Sequence, residues 1–188
     1  MDKPYNFIYK KRGLLMLPPC FAILVGFYLN DSHNALFWAA GLALFAAGVL
    51  VRVWAQMHLH YRLRVRKNLT TTGPYRFVRN PIYIANTAML LALTIISGLL
   101  WFLPFMLAWC AAVYTFVVRR EEAHLAEKYG TPYRAFLEST PRWLPKWPES
   151  AGEHAEVRRY ARSSVVAELH CLLWLLPFAA VELLTILN

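Results

Sequence analysis

Charged side chains are scarce in this chain, making up 16 % of its 188 residues against 58 % apolar ones. That balance excludes an ordinary soluble domain, although the length would suit one. Cysteine is rare too. Cys20, Cys110 and Cys171 all lie within apolar runs, at spacings that form neither a disulfide framework nor a redox or metal motif. They read as small core-filling residues. Acidic residues number 11 against 20 basic ones, for a net charge of +9. The chain has no recognised nucleic-acid-binding module, so this excess is assigned to membrane topology and anionic lipid headgroups.

What is abundant is apolar sequence. Several runs approach the ~20 residues needed to cross ~30 Å of hydrocarbon, and without water to satisfy the backbone each must be helical. Five spans are predicted: about Leu14 to Leu29, Ala35 to about Met57, Ile82 to Ser97, Leu99 to Val118, and near Ala167 to Leu187. The expected fold is therefore an all-α membrane protein, a single integral membrane domain over residues 1–188. Ser97-Gly98 is too short for a loop, which predicts a tight antiparallel hairpin of spans three and four. Pro18-Pro19, Pro104 and Pro177 are expected to bend their helices by removing interior hydrogen bonds. Lys10-Lys11-Arg12 before an apolar run also resembles a secretory signal. No convincing small-x-small cleavage site follows, so the first helix is read as retained.

Basic residues alternate between loops. Four precede span one, six lie between spans two and three, and nine lie between Arg119 and Arg162, whereas Asn30–Asn34, Ser97–Gly98 and the tail carry none. The amino terminus is expected on the cytoplasmic side and the carboxyl terminus on the opposite side.

The polar segments stand at the ends of these spans. Arg52 is the one basic residue inside a span. It can snorkel to the interface, or pair within the bundle with a carboxylate such as Glu121 or Glu122. The polar segment His58–Thr72 leads into the turn Gly73-Pro74-Tyr75. Asn80-Pro81 then opens span three, with Asn80 as N-cap and Pro81 in the first turn. Free N–H groups there attract a carboxylate, and Arg76, Arg79, Tyr75 and Tyr83 around them point to a ligand site. Helix-entry chemistry alone is the simpler alternative.

Glu121-Glu122 follows Arg119-Arg120 at the end of span four, which the hairpin brings beside Asn80–Tyr83. The helix can continue to Tyr129, with Gly130 as its cap. A solvated ion-pair role with Arg119 and Arg120 also fits these carboxylates. His58-x-His60 and Glu121-x-x-His124 supply too few ligands on a shared face for a di-metal bundle, so no metal site is expected. Pro141-Arg142-Trp143-Leu144-Pro145-Lys146-Trp147-Pro148 cannot be helical and suits a headgroup region, draped over whatever binds there. Glu149–Glu156 reads as a polar linker, and Arg158–Ser164 leads into span five.

From about Arg52 to Pro145 the chain resembles the membrane-bound isoprenylcysteine carboxyl methyltransferase and phospholipid methyltransferase superfamily. The resemblance rests on Gly73-Pro-Tyr-Arg-Phe-Val-Arg-Asn-Pro-Ile-Tyr83, a hairpin, Glu-Glu-x-x-Leu-x-x-x-Tyr-Gly-x-x-Tyr from Glu121, and the closing Pro-Arg-x-x-Pro from Pro141. The family often has His where this chain has Asn80. The methyltransferase-like core is placed at about residues 52–148, with an additional helix at about 167–187.

The resemblance implies S-adenosylmethionine as methyl donor, with Tyr75, Arg79, Asn80 and Tyr83 in one binding segment and Glu121 and Glu122 in the other. One of the two glutamates would receive the ammonium group. Arg79, Glu121 and His124 are the positioning candidates, and no catalytic residue is named. The acceptor would be a lipid or lipidated small molecule: a prenylcysteine carboxylate, a phospholipid amine or a similar group. Two other readings compete. Membrane reductases of the sterol and steroid type use NADPH but carry Asn-Tyr-x-Gly-Glu, which Ile82-Tyr83-Ile84-Ala85-Asn86 does not match. A non-enzymatic scaffold would have no polar pocket at the hairpin ends.

Overall fold

A computed structural model describes residues 13–30, 34–61, 69–147 and 157–187. The basic clusters before Gly13 and from Arg62 to Lys67, and the linker Glu149–Glu156, lie outside them. Among the described residues all regular structure is helical, with no strand. A 3-10 turn at Leu14–Met16 leads into α1 (Leu17–Tyr28), followed by α2 (Ala35–Tyr61), a 3-10 turn at Gly73–Arg76 and α3 (Pro81–Ile96). Another 3-10 turn at Leu100–Phe102 opens α4 (Leu103–Tyr129), and α5 (Thr131–Ser139) follows it. The last stretch alternates 3-10 and α segments, with α6 at Ala161–Glu168 and α7 at Leu176–Leu187.

Three helical stretches are long and apolar enough to cross a membrane: Ala35–His60, Leu100–Tyr129 and Val157–Thr185. Leu14–Tyr28 and Pro81–Ile96 are shorter apolar helices. Five spans fit this set, and the protein is an integral membrane protein. Their surfaces agree, since Leu17, Phe21, Leu36, Leu50, Trp101 and Leu173 are all exposed apolar side chains, a pattern suited to lipid rather than water.

The prolines stand where the helices change type. Pro18, Pro104 and Pro177 each occupy the second position of an α segment that follows a 3-10 turn, with Pro19 next to the first. Each lacks the N–H that would have bonded back to a carbonyl of the preceding turn. They mark where the tighter helix relaxes into the wider one.

Two compact units are distinguished. The first comprises Met1–Ala46, Thr87–Glu121 and Leu172–Asn188. Its core holds Ile23, Phe27, Phe45, Met89, Leu90, Met106 and Cys110. Polar groups tie its helices together: Trp38 Nε1 donates to Glu182 at 3.3 Å and Trp109 Nε1 to the Leu15 carbonyl at 3.0 Å. The predicted hairpin is present here. Gly98 has φ of 73° and its N–H closes on the Ile95 carbonyl at 2.9 Å, a conformation that needs no Cβ.

The second unit comprises Ala47–Asn86 and Glu122–Cys171. Arg52 belongs to it and does not snorkel: its side chain is 11 % exposed and meets Glu168 at 2.6 Å. The carboxylate is thus neither Glu121 nor Glu122, as the sequence suggested, but one 116 residues further along the chain. Helix α4 runs on to Tyr129, and Gly130 with φ of 60° ends it.

Candidate active site around Arg79 and Glu122

The second unit gathers its polar side chains around the segment that enters α3. Pro74 in the 3-10 turn presets the backbone, and Gly73 before it has φ of 60°. A Cβ on Gly73 would collide with the His58 imidazole, whose Nδ1 bonds Thr72 Oγ1 at 2.9 Å. His58 thus braces a turn. Its partner in the His-x-His pair, His60, faces Ser164 at 3.4 Å instead, so the two rings serve different neighbours. Gly73→Ala is expected to cost at least about 1–2 kcal/mol from the left-handed backbone alone, and more from displacing His58. Thermal unfolding of the purified variant checks this, and an unchanged midpoint would refute it.

Beyond the turn, residues 77–80 are clamped by the segment 141–147. The Arg79 N–H donates to the Pro141 carbonyl at 2.9 Å and the Lys146 N–H to the Phe77 carbonyl at 2.9 Å. Asn80 Nδ2 donates to the Arg142 carbonyl at 3.3 Å, while the Asn80 carbonyl accepts the Tyr83 and Ile84 N–H groups that start α3. Phe77 lies between Trp54 and Trp147, with ring centroids 6.0 and 5.4 Å away. The 141–147 segment is non-helical, as its prolines require, and Leu144 and Trp147 are more than 80 % exposed on it.

These clamps bring three charges together. Arg79 donates from Nε to the Thr140 carbonyl at 2.5 Å and from NH1 to Glu122 Oε1 at 2.9 Å. Arg142 grips the same carboxylate with two nitrogens, Nε to Oε1 at 3.1 Å and NH2 to Oε2 at 2.7 Å. Glu122 is buried, and its hydrogen bonds raise the Arg142 pKa still further above the usual guanidinium value. Two guanidinium groups on one carboxylate leave one positive charge over, fixed in planar forks suited to an oxyanion.

Of the residues singled out from sequence, Arg79, Asn80 and Glu122 therefore meet in one network. Tyr75 is buried within the 3-10 turn, and Tyr83 is half-buried in the first turn of α3. Glu121 precedes Glu122 on α4, about 100° around the helix, and is half-buried. His124 is exposed on α4. The sequence reading gave Arg142 only a headgroup role and a place in the closing Pro-Arg-x-x-Pro. Its position in that motif was the one signal that it belonged with Glu122.

Among the described residues, Glu168, His170 and Cys171 have side-chain ligand atoms within 4.8 Å of one another. Arg52 already neutralises that carboxylate and opposes a cation there.

No curated protein and no solved structure matches the chain. One family does, over residues 36–132, a stretch that includes the Gly73–Tyr83 segment, the whole hairpin and Glu121-Glu122. On that match the chain belongs to the phospholipid methyltransferase family.

Proposed function

We propose that the protein transfers a methyl group from S-adenosylmethionine to a lipid-type acceptor at the cytoplasmic face of a membrane. The observation that carries this is the Arg79–Glu122–Arg142 cluster in a chain of this family. When bound, S-adenosylmethionine supplies a methyl group already activated by its sulfonium. The residues suit it. The surplus positive charge of Arg79 and Arg142 matches its carboxylate, and the faces of Tyr75 and Tyr83 match its cationic end. Glu122, bonded to two guanidinium groups, acts through them as a positioning residue. Glu121 and Asn80 complete the binding set.

Because the methyl group arrives activated, the protein's task is to position the reacting atoms and exclude water. The clamped 141–147 segment and buried Glu122 support both. A carboxylate acceptor needs no base. An amine must lose a proton, and with Glu122 committed to its arginines the candidates to take it are Glu121 and His124.

Membrane lipid extract incubated with isotopically labelled methyl donor and resolved by mass tests the activity, the expected result being one labelled lipid class. Calorimetry should show binding of the methyl donor in the micromolar range, on the order of 7–8 kcal/mol. Heat with NADPH and none with the methyl donor would overturn the reading. The orientation is tested separately. Reporter fusions at Asn34 and Asn188 should both report the face opposite the cytoplasm, because every basic loop then lies on one side. A cytoplasmic signal at Asn188 would remove the last helix from the membrane.

A further inference from the structure

The segment 141–147 is a strap with two unlike faces. Inward, Arg142 grips buried Glu122, and the backbone bonds Arg79 to Pro141 and Lys146 to Phe77 fasten both ends. Outward, Leu144 is 82 % and Trp147 81 % exposed, with Pro145 and Lys146 exposed between them. Methyl transfer gives no reason to present a leucine and a tryptophan to water, and leaving both there forgoes their burial.

That outer face is continuous with the surface of a spanning helix. Trp54 stands 6.0 Å from Phe77, and Phe77 stands 5.4 Å from Trp147. Trp54 is itself 38 % exposed on a helix long and apolar enough to cross a membrane. The row of rings thus runs from α2 onto the strap. Tryptophan and lysine collect at headgroup level, where an amphipathic side chain has one apolar and one wet neighbour. The length of α3 puts the strap at the same depth. Its 16 residues cover only about 24 Å, less than the ~30 Å of hydrocarbon. So short a span draws its flanking residues into the interface, and these are residues 77–80, to which the strap is bonded.

We propose that Leu144 and Trp147 dock the strap on the boundary between headgroups and acyl chains of the surrounding bilayer, and that this contact holds Arg142 on Glu122 and so sets affinity for the methyl donor. The docking stands on the geometry alone, whereas its effect on the donor rests on the methyltransferase reading above. Leu144 touches neither donor nor acceptor. It acts through the strap and is a positioning residue.

The test places the full chain, one copy per nanodisc, in dioleoyl phosphatidylcholine and in matched discs whose lipid is brominated just below the headgroup, where bromine quenches tryptophan on contact. The chain has seven tryptophans, so the emission of Trp147 is taken as the difference between the parent and Trp147→Phe. Brominated lipid should quench most of that difference, and water-borne acrylamide little of it. Calorimetry with S-adenosylmethionine in the unbrominated discs reads the second half. Leu144→Ser, a change at an exposed position, should weaken binding about 3- to 10-fold, the effect of losing part of one buried leucine. Leu144→Phe keeps the apolar contact and should bind like the parent. If brominated lipid leaves Trp147 unquenched, the outer face meets water or another protein and the proposal is overturned. Full quenching with a Leu144→Ser variant of parental donor affinity overturns the link between bilayer and donor. If Trp147 is quenched but the parent binds no methyl donor, the methyltransferase reading fails and the docking surface stands.

Discussion

Alanine in place of Glu122 is expected to lower affinity for S-adenosylmethionine at least about tenfold, because Arg79 and Arg142 lose the carboxylate that holds their guanidinium forks in place. It should also destabilise the fold. Arg79 and Arg142 both bond this carboxylate and would be left facing each other without a counter-charge. Removing one partner of a buried ion pair costs about 3–5 kcal/mol. The Arg142 side chain is 32 % exposed and can turn toward water, so the lower end of that range applies. Glu122→Gln keeps the shape and removes the charge, which separates the two effects. Calorimetry with the methyl donor and thermal unfolding in the same detergent measure both. Glu127→Ala, exposed on the same helix, should change neither. If Glu121→Ala and Glu122→Ala both stay folded and bind the methyl donor as tightly as the parent, the pocket lies elsewhere.

The second large effect is expected at Arg79. Its side chain joins the Thr140 carbonyl to Glu122, and its own N–H holds Pro141. Arg79→Ala keeps the backbone bond but removes both side-chain bonds, so the start of the 141–147 segment loosens as the oxyanion fork disappears. Binding of the methyl donor should weaken at least about tenfold, and trypsin should cut after Lys146 faster than in the parent. Arg79→Lys should restore charge but not the planar fork, and recover only part of the affinity. Tyr83→Phe, losing one hydroxyl, should have a smaller effect. Unchanged binding in Arg79→Ala with accelerated cleavage would make Arg79 a structural clamp and nothing more.

Much of this fold was legible in one dimension, for a physical reason. In hydrocarbon the backbone has few ways to satisfy its hydrogen bonds, so apolar length translates directly into helix. The boundaries Leu14, Ala35 and Leu187 follow from that, as does the turn at Ser97-Gly98. Short-range signals worked equally well. Pro81 opens α3, Gly130 closes α4, and the prolines of 141–147 forbid a helix. The hairpin made one tertiary inference possible, namely that the segment around Asn80 lies beside the end of span four. Arg79 and Glu122, 43 residues apart, do meet.

Where a contact depended on helices not joined by a short turn, the sequence was silent. Arg52 was offered Glu121 or Glu122 as partner, yet it chose Glu168. Uniformly apolar helices carry almost no periodicity from which to read the facing side.

The sequence by itself determined that this is a membrane-embedded helical protein and, through Gly73–Tyr83 and Glu121-Glu122, its likeness to lipid methyltransferases. Only the tertiary structure decided which charges neutralise which. It put two arginines on Glu122 and so made the cluster cationic, and it buried Arg52 against Glu168 instead of leaving it at the lipid surface. The reason is common to both. Span and turn are set by each segment's own solvation and backbone limits, whereas an ion pair needs two side chains at hydrogen-bond distance, and that depends on how helices far apart in the chain pack.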